Sequence, residues 1–526
     1  MSDWPWLDLV IFTPLAGAVL VALVPAGRDK AVRMLAFAVA ALTFLLSLGV
    51  LFEFETGEAG FQLLTSARWI PDWGISYKVG IDGISLWMVL LTTFLMPLGV
   101  LASWPITKRV KTYFALLLAL ETGMLGVFCA LDLFLFYLFW EATLVPMYLL
   151  IGMWGYERRI YAAMKFFLFT LAGSLLMLVA IIYLYFAAPG PATFDLTALM
   201  GTPLSLDVQR LLFLGFFASF AIKVPLVPFH TWLPDAHTEA PTAGSVMLAA
   251  VLLKMGVYGL IRFAIPLFPD AARELVPLLM ALAIIGIVYG ALVAIVQRDL
   301  KRLIAYSSIA HLGFVTLGVF VGSVQAMSGG VLQMVSHGLS TGALFMLVGA
   351  LYDRRHTRLI ADFGGLAKSI PLLSGIFLFV LLSSIGLPGL NGFIGEFLIL
   401  LGTFFRYRWW VVPAAFGIVL AAIYLLWAYQ RVFQGEPAGE NRTMRDLGGR
   451  ELGMLAPILV LILAIGVYPK PFLDRIEPAA TKVVRQLRTC TVEPAAVREQ
   501  LDADAPVVGA EACAGSVSSG VAKASP

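Results

Sequence analysis

Apolar positions in this chain do not alternate with polar ones but gather in long continuous runs. A membrane-spanning helix needs about 20 mainly apolar residues, and about 14 such runs can be marked, from Leu9–Val24 and Met34–Phe52 to Trp409–Tyr429 and Leu452–Tyr468. The first run has no basic segment before it and no small-residue cleavage site, so it predicts a retained helix rather than a removed signal peptide. The expected fold is an all-α polytopic membrane protein.

Two of the runs carry their own interruptions. Leu372–Phe405 contains Gly386-Leu387-Pro388-Gly389-Leu390-Asn391-Gly392, and Leu211–Phe229 contains Pro225 and Pro228, so both predict broken helices. Irregular backbone at membrane depth is tolerated only where protein or a water-filled cavity shelters it, and paired breaks point to an inverted repeat. A repeat is visible: residues 172–179 match 341–348 in five of eight positions, at an offset of 169. Glu141 to His311 spans 170 residues and Lys223 to Glu396 spans 173. An offset of five helices, an odd number, turns the second copy upside down. The expected organisation is helices one to three in 1–112, five-helix repeats in 113–265 and 266–432, and the last helix with its flank in 433–488. A disordered tail is expected over 489–526.

Composition sharpens the membrane reading. Of 526 residues, 60% are hydrophobic and 13% charged, about half the charge of a soluble chain. A net charge of +3 gives no global basic field for nucleic acid. Where the charges sit matters more: one alternate set of loops holds 20 of the 36 Lys and Arg residues and the opposite set, Arg262 among them, holds 7. The basic set should be cytoplasmic, which puts both termini outside the cytoplasm. Lys223 and Lys254 belong to neither set, since each falls inside a predicted helix. Cys129, Cys490 and Cys513 show no metal-binding spacing, and no glycine-rich nucleotide motif occurs.

Seven ionisable residues lie inside predicted helices: Glu121, Glu141, Lys223, Lys254, His311, His337 and Glu396. Each charge at mid-membrane costs about 2.5–3.5 kcal/mol on insertion scales, so such residues point to function by default. A Glu–Lys pair can exchange protons according to whether its members are close, and histidine titrates near neutral pH unaided. Glu141 and Lys223 are therefore read as a switching ion pair, with a static bridge as the alternative. Lys254 is read as a relay rather than a snorkelling residue. His311 and His337 are read as proton carriers, with metal or haem ligation and a satisfied polar core as alternatives. Glu396, one turn past the break, would end the path. Glu121 either joins the relay or neutralises a nearby lysine. His230 and His237 lie in the one basic-side loop without Lys or Arg, which serves either proton entry or packing.

Leu131-Asp132-Leu133-Phe134 through Trp140-Glu141, Lys223-Val224-Pro225 through Asp235-Ala236-His237, Leu253-Lys254-Met255-Gly256-Val257-Tyr258-Gly259, Tyr306-Ser307-Ser308-Ile309-Ala310-His311 and Gly395-Glu396-Phe397 resemble the antiporter-like membrane subunits of respiratory complex I. The similarity runs roughly from Leu9 to Tyr468. Glu396 is the discriminator within that family, because the sister subunits of the L and N types typically place a lysine there. The resemblance implies a proton-translocating subunit of an NADH:quinone oxidoreductase, in a bacterial inner membrane, with L-like and N-like neighbours. It also implies that no cofactor is bound by this chain and that NADH, flavin, iron–sulfur clusters and quinone belong to partner subunits. Carried over, Glu141 and Lys223 would be the switching pair, Lys254 the central relay, His311 and His337 the link, and Glu396 the exit-side group. A subunit of an Mrp-type cation/proton antiporter is the alternative, and a structural scaffold a third.

Overall fold

The computed structural model describes residues 4–488. The predicted tail over 489–526, with Cys490 and Cys513, lies outside the described residues. Among the described residues, 12 helices are long and apolar enough to cross a membrane. In chain order the principal elements are α1 (Trp6–Leu23), α2 (Asp29–Glu53), a hairpin of β1 (Gln62–Ile70) and β2 (Ile75–Ile81), α3 (Gly83–Ala102), α4 (Val110–Cys129), α5 (Leu133–Ala142), α6 (Leu144–Trp154), α7 (Arg159–Ala187) and α8 (Leu206–Lys223). There follow α9 (Trp232–Glu239), α10 (Thr242–Leu267), α11 (Pro269–Ile295), α12 (Leu300–Phe320), α13 (Val324–Arg355), α14 (Pro371–Ile385), α15 (Asn391–Arg406), α16 (Val411–Phe433), α17 (Gly449–Val467) and α18 (Lys470–Arg488).

Aspartates start several of these helices. Asp82, Asp132 and Asp299 cap α3, α5 and α12, each accepting two amide hydrogens of the first turn at 2.8–3.1 Å. Asp132 also accepts from the Ser76 amide and hydroxyl, both at 3.0 Å, and so ties the hairpin to α5. The hairpin adds a small antiparallel pair to the helical fold. Its residues lie in a stretch too polar to read as a span.

The helices form an interior set and a rim. The apolar stretches of α10 and α13 are buried throughout and α12 nearly so, whereas α1, α2, α7, α11, α16 and α17 expose broad apolar faces. Exposed Leu175, Val179, Ile285, Phe416 and Val460 belong to a lipid-facing belt, because hydrocarbon solvates apolar side chains. Ionisable groups in the interior set are therefore shielded by protein on every side.

Both predicted breaks are present. The first ends α8 at Lys223, and the Ile222 carbonyl it frees accepts from the Trp232 indole at 2.8 Å. The second ends α14 at Gly386, whose φ of +84° is a left-handed conformation that glycine adopts without strain. Ser336 and Ser340 of α13 hold this break: Asn391 Nδ2 donates to the Ser336 carbonyl at 3.2 Å, and the Ser383 hydroxyl, in contact with that of Ser340, donates to Asn391 Oδ1.

Two irregularities were not predicted. The run Leu133–Met153 is divided at Thr143, because Pro146 has no N–H to offer the Ala142 carbonyl. In α10, π-helical segments Leu248–Leu252 and Leu260–Ala264 flank the lysine-bearing turn. Beyond the last span, α18 lies along α3 and α13 with Ile476, Ala479, Ala480, Val483, Val484 and Leu487 on its buried face, a helical spacing.

Candidate functional site

Four of the seven ionisable residues form one connected chain. Lys254, wholly buried on α10, donates to the Ala249 carbonyl at 2.5 Å, and its Nζ lies 2.7 Å from His337 Nδ1 on α13. The His337 ring faces that of His311 on α12 with centroids 5.7 Å apart. His311 Nδ1 lies 2.9 Å from Glu396 Oε1 on α15. Each Nε2 of the two histidines is buried without a hydrogen-bond partner among the described residues. Glu396 also accepts from Gln333 Nε2 at 3.0 Å. Gly386 matters here as well, since a Cβ there would come within 3.0 Å of the Glu396 carboxylate. No group of three or more metal-ligating side chains occurs among the described residues, and the two imidazoles are engaged by Glu396 and Lys254.

The other half of the site is open. No ion pair joins Glu141 to Lys223 among the described residues, although Glu141 is the carboxylate that acts on Lys223 at longer range. The Lys223 ammonium instead stands over the rings of Trp140 at 5.1 Å and Phe166 at 5.6 Å, where the negative ring faces attract it. Glu141 Oε1 is buried without a partner among the described residues, beside the α5–α6 seam. Glu121 stands apart on α4: it is fully buried, and both of its oxygens lack a hydrogen-bond partner among the described residues.

On the face with the basic loops, the structure adds a group that the loop count misplaced. Lys301 is not a solvated loop base. It is 4% exposed, donates to the Ala240 carbonyl at 2.5 Å and stands over the Tyr156 ring, because α12 begins beneath the α9–α10 turn. The signal was Asp299, which places Lys301 in the first turn of a helix. His237 stacks on Phe345 at 4.7 Å and lies within the electrostatic reach of both Lys301 and Lys254. Both of its ring nitrogens are unpaired among the described residues. His230, beside Tyr289 at 5.0 Å, is farther along the first break. Lys165 pairs with Asp235 at 2.7 Å and ties α7 to α9.

Arg262 likewise is no loop base. It is buried at the opposite end of α10, paired with Asp82 at 2.5 Å and bonded to the Tyr258 hydroxyl at 3.0 Å, with Phe61 of the hairpin segment over its guanidinium. Burial without a partner would be costly, and the cap Asp82 supplies one from 180 residues away.

A buried line of ionisable groups inside a bundle with two broken helices defines a class of polytopic membrane protein that carries charge in its interior, and similarity to known proteins narrows the class. Residues 130–422, more than half of the chain, match the family model described as NADH:quinone oxidoreductase/Mrp antiporter, transmembrane. The chain belongs to this family. It is 47% identical over 497 residues to NADH-quinone oxidoreductase subunit M of Rhodobacter capsulatus, covering 91% of this chain and 96% of the relative. It is 45% identical to NADH-ubiquinone oxidoreductase chain 4 of Arabidopsis thaliana, covering 91% and 97%. Among solved structures, a chain of respiratory complex I from Thermus thermophilus superposes with a TM-score of 0.84 at 36% identity, covering 91% of this chain and 99% of that one. A chain of the Mrp complex from Dietzia superposes at 0.82 with 21% identity, covering 92% and 98%, a likeness of fold alone.

Proposed function

We propose that this chain is the M-type antiporter-like membrane subunit of an NADH:quinone oxidoreductase and translocates protons, driven by quinone reduction in partner subunits. The observation that carries the reading is the continuous line Lys254–His337–His311–Glu396, sheltered in the interior helices and ending beside the second break. Relatives at 44–47% identity carry complex I subunit names, which favours this reading over an Mrp-type antiporter.

Protons enter from the basic, cytoplasmic face past Lys301 and His237 to Lys254. His237, with two unpaired nitrogens, takes and passes a proton through mobile water. Lys254 hands its proton to His337 Nδ1, and the imidazoles carry it to Glu396, where the helix break gives a way out. Glu141 and Lys223 set the direction. When they close, the charge on Lys223 is compensated; when they part, as here, its positive field acts along the line toward Lys254 and drives the proton onward. NADH, flavin, clusters and quinone belong to neighbouring subunits, and L-like and N-like chains flank this one. Two inverted five-helix repeats, supported by the breaks after α8 and α14, supply the two half-paths.

The test is proton pumping measured beside NADH:quinone turnover in membrane vesicles, for wild type, Glu141→Gln and Lys223→Ala, after assembly is confirmed. Loss of pumping or coupled turnover is expected. Full activity in both variants overturns the switch, and sodium/proton exchange with no NADH activity tied to this chain turns the assignment to the antiporter.

A further inference from the structure

A groove of about 580 Å³ runs between α2, α3, α13, α17 and α18, away from the ionisable line. Leu48, Phe94, Leu339 and Leu461 are among its apolar walls, and Val460, 65% exposed, opens it to the surrounding hydrocarbon. Its one charged lining residue is Arg475 of α18. Arg475 is held against the start of α3: its carbonyl oxygen stands where a Cβ on Gly83 would lie, 1.6 Å away, so only glycine allows the approach. One turn farther along α3, Trp87 stacks on Phe472 with ring centroids 4.3 Å apart.

Two hydrogen-bond donors at this end are unspent. Arg475 uses Nη1 on the Pro471 carbonyl at 2.9 Å, but its Nε is buried with no acceptor among the described residues. The indole Nε1 of Trp87, a residue only 8% exposed, is in the same condition. Buried N–H groups without acceptors are costly, and two lining one apolar groove call for a ligand with oxygen acceptors at the head of a long apolar tail. The head should be anionic, because α18 carries five basic residues and two acidic ones between Lys470 and Arg488.

We propose that the groove binds one anionic phospholipid, with an acyl chain between α2, α3 and α17, the phosphate on Arg475 and an ester or phosphate oxygen on Trp87. The lipid holds α18 against the bundle, since α18 supplies both Phe472 and Arg475. The site is independent of the proton-path reading.

The test is photolabelling of the protein, purified with its partner subunits and returned to vesicles, by phosphatidylglycerol or phosphatidylcholine bearing a diazirine in the acyl chain. Labelled peptides are read by mass spectrometry. The walls around Leu48, Phe94 and Leu461 should take phosphatidylglycerol preferentially. Arg475→Gln should lower that labelling about tenfold, the loss of one charge-assisted hydrogen bond. Trp87→Phe, which keeps the stacking and removes the donor, should lower it a few-fold, and Leu339→Trp should block labelling by filling the groove. Equal labelling by both lipids, or labelling unchanged in Arg475→Gln, overturns the proposal. So does displacement of the label by an equimolar isoprenoid quinone.

Discussion

The two halves of the ionisable line are built in opposite ways. From Lys254 to Glu396 the groups are in contact or ring to ring, while Glu141 and Lys223 stand apart, one with an unpartnered oxygen and the other over aromatic faces. Groups already in contact need no large motion to exchange a proton, whereas a pair that can open and close imposes a sequence of events. The rigid half should act as a wire and the loose half as its control. A third arrangement, Asp82–Arg262, is closed at 2.5 Å and sealed by Phe61, and shows what a permanent buried pair looks like in the same protein.

Variants can break this contrast in order of severity. Lys254→Met removes the only ammonium on the connected line and should lower coupled pumping by about 100-fold with assembly intact, as loss of a positioned proton donor does. Arg262→Met strands Asp82 and should destabilise the fold by about 3–5 kcal/mol, read as lost assembly on native gels, with pumping per assembled complex unchanged. Glu141→Gln should cost about tenfold in pumping, as expected for a control group off the connected line, and Glu141→Asp should recover part of it. An equal loss for Gln and Asp would make Glu141 a packing residue. Gln333→Leu should cost only a few-fold, because Gln333 orients Glu396 without carrying a proton.

The smallest effect calibrates the rest. Lys78 and Asp195 pair at 2.5 Å in the connection outside the membrane, partly exposed. Burial alone would raise the Asp195 carboxyl, but Lys78 and Thr197 outweigh it and hold it below the usual carboxylate range. Its contribution is therefore complete above the unfolded value of about 3.9 and is lost as pH falls through the lower folded one. Lys78→Met should cost about 0.2–1 kcal/mol in thermal unfolding at pH 7, and the cost should shrink in acid.

Most of the ionisable line was legible because a charged or imidazole side chain within an apolar run has few other readings. The two breaks were legible because proline and glycine act locally. What escaped the sequence was decided by packing between distant segments. Lys301 adjoins Arg302 and the loop charges, and only the position of Ala240 buries it. Arg262 follows Lys254 by two turns, yet its partner Asp82 belongs to another helix. Glu141 on α5 and Lys223 at the end of α8 are placed by separate elements, so the sequence names the pair without giving its state. Pro71 and Gly74 mark the turn of the hairpin, but its docking rests on Asp132 at the start of α5, which accepts from Ser76.

The π-helical segments on either side of Lys254 have a consequence for how such a lysine can be aimed. A π turn holds one residue more than an α turn, and each residue advances a helix by about 100°. Two of them in α10 give the middle of the helix a phase of its own, set apart from the phases at which its ends dock. If the first segment relaxed to α geometry with every residue kept, Lys254 would swing by about 100°, away from His337, whereas deleting Ala250 together with the bulge would leave Lys254 facing His337. The direction of the buried lysine is thus an adjustable angle, decided by a count of residues rather than by their chemistry.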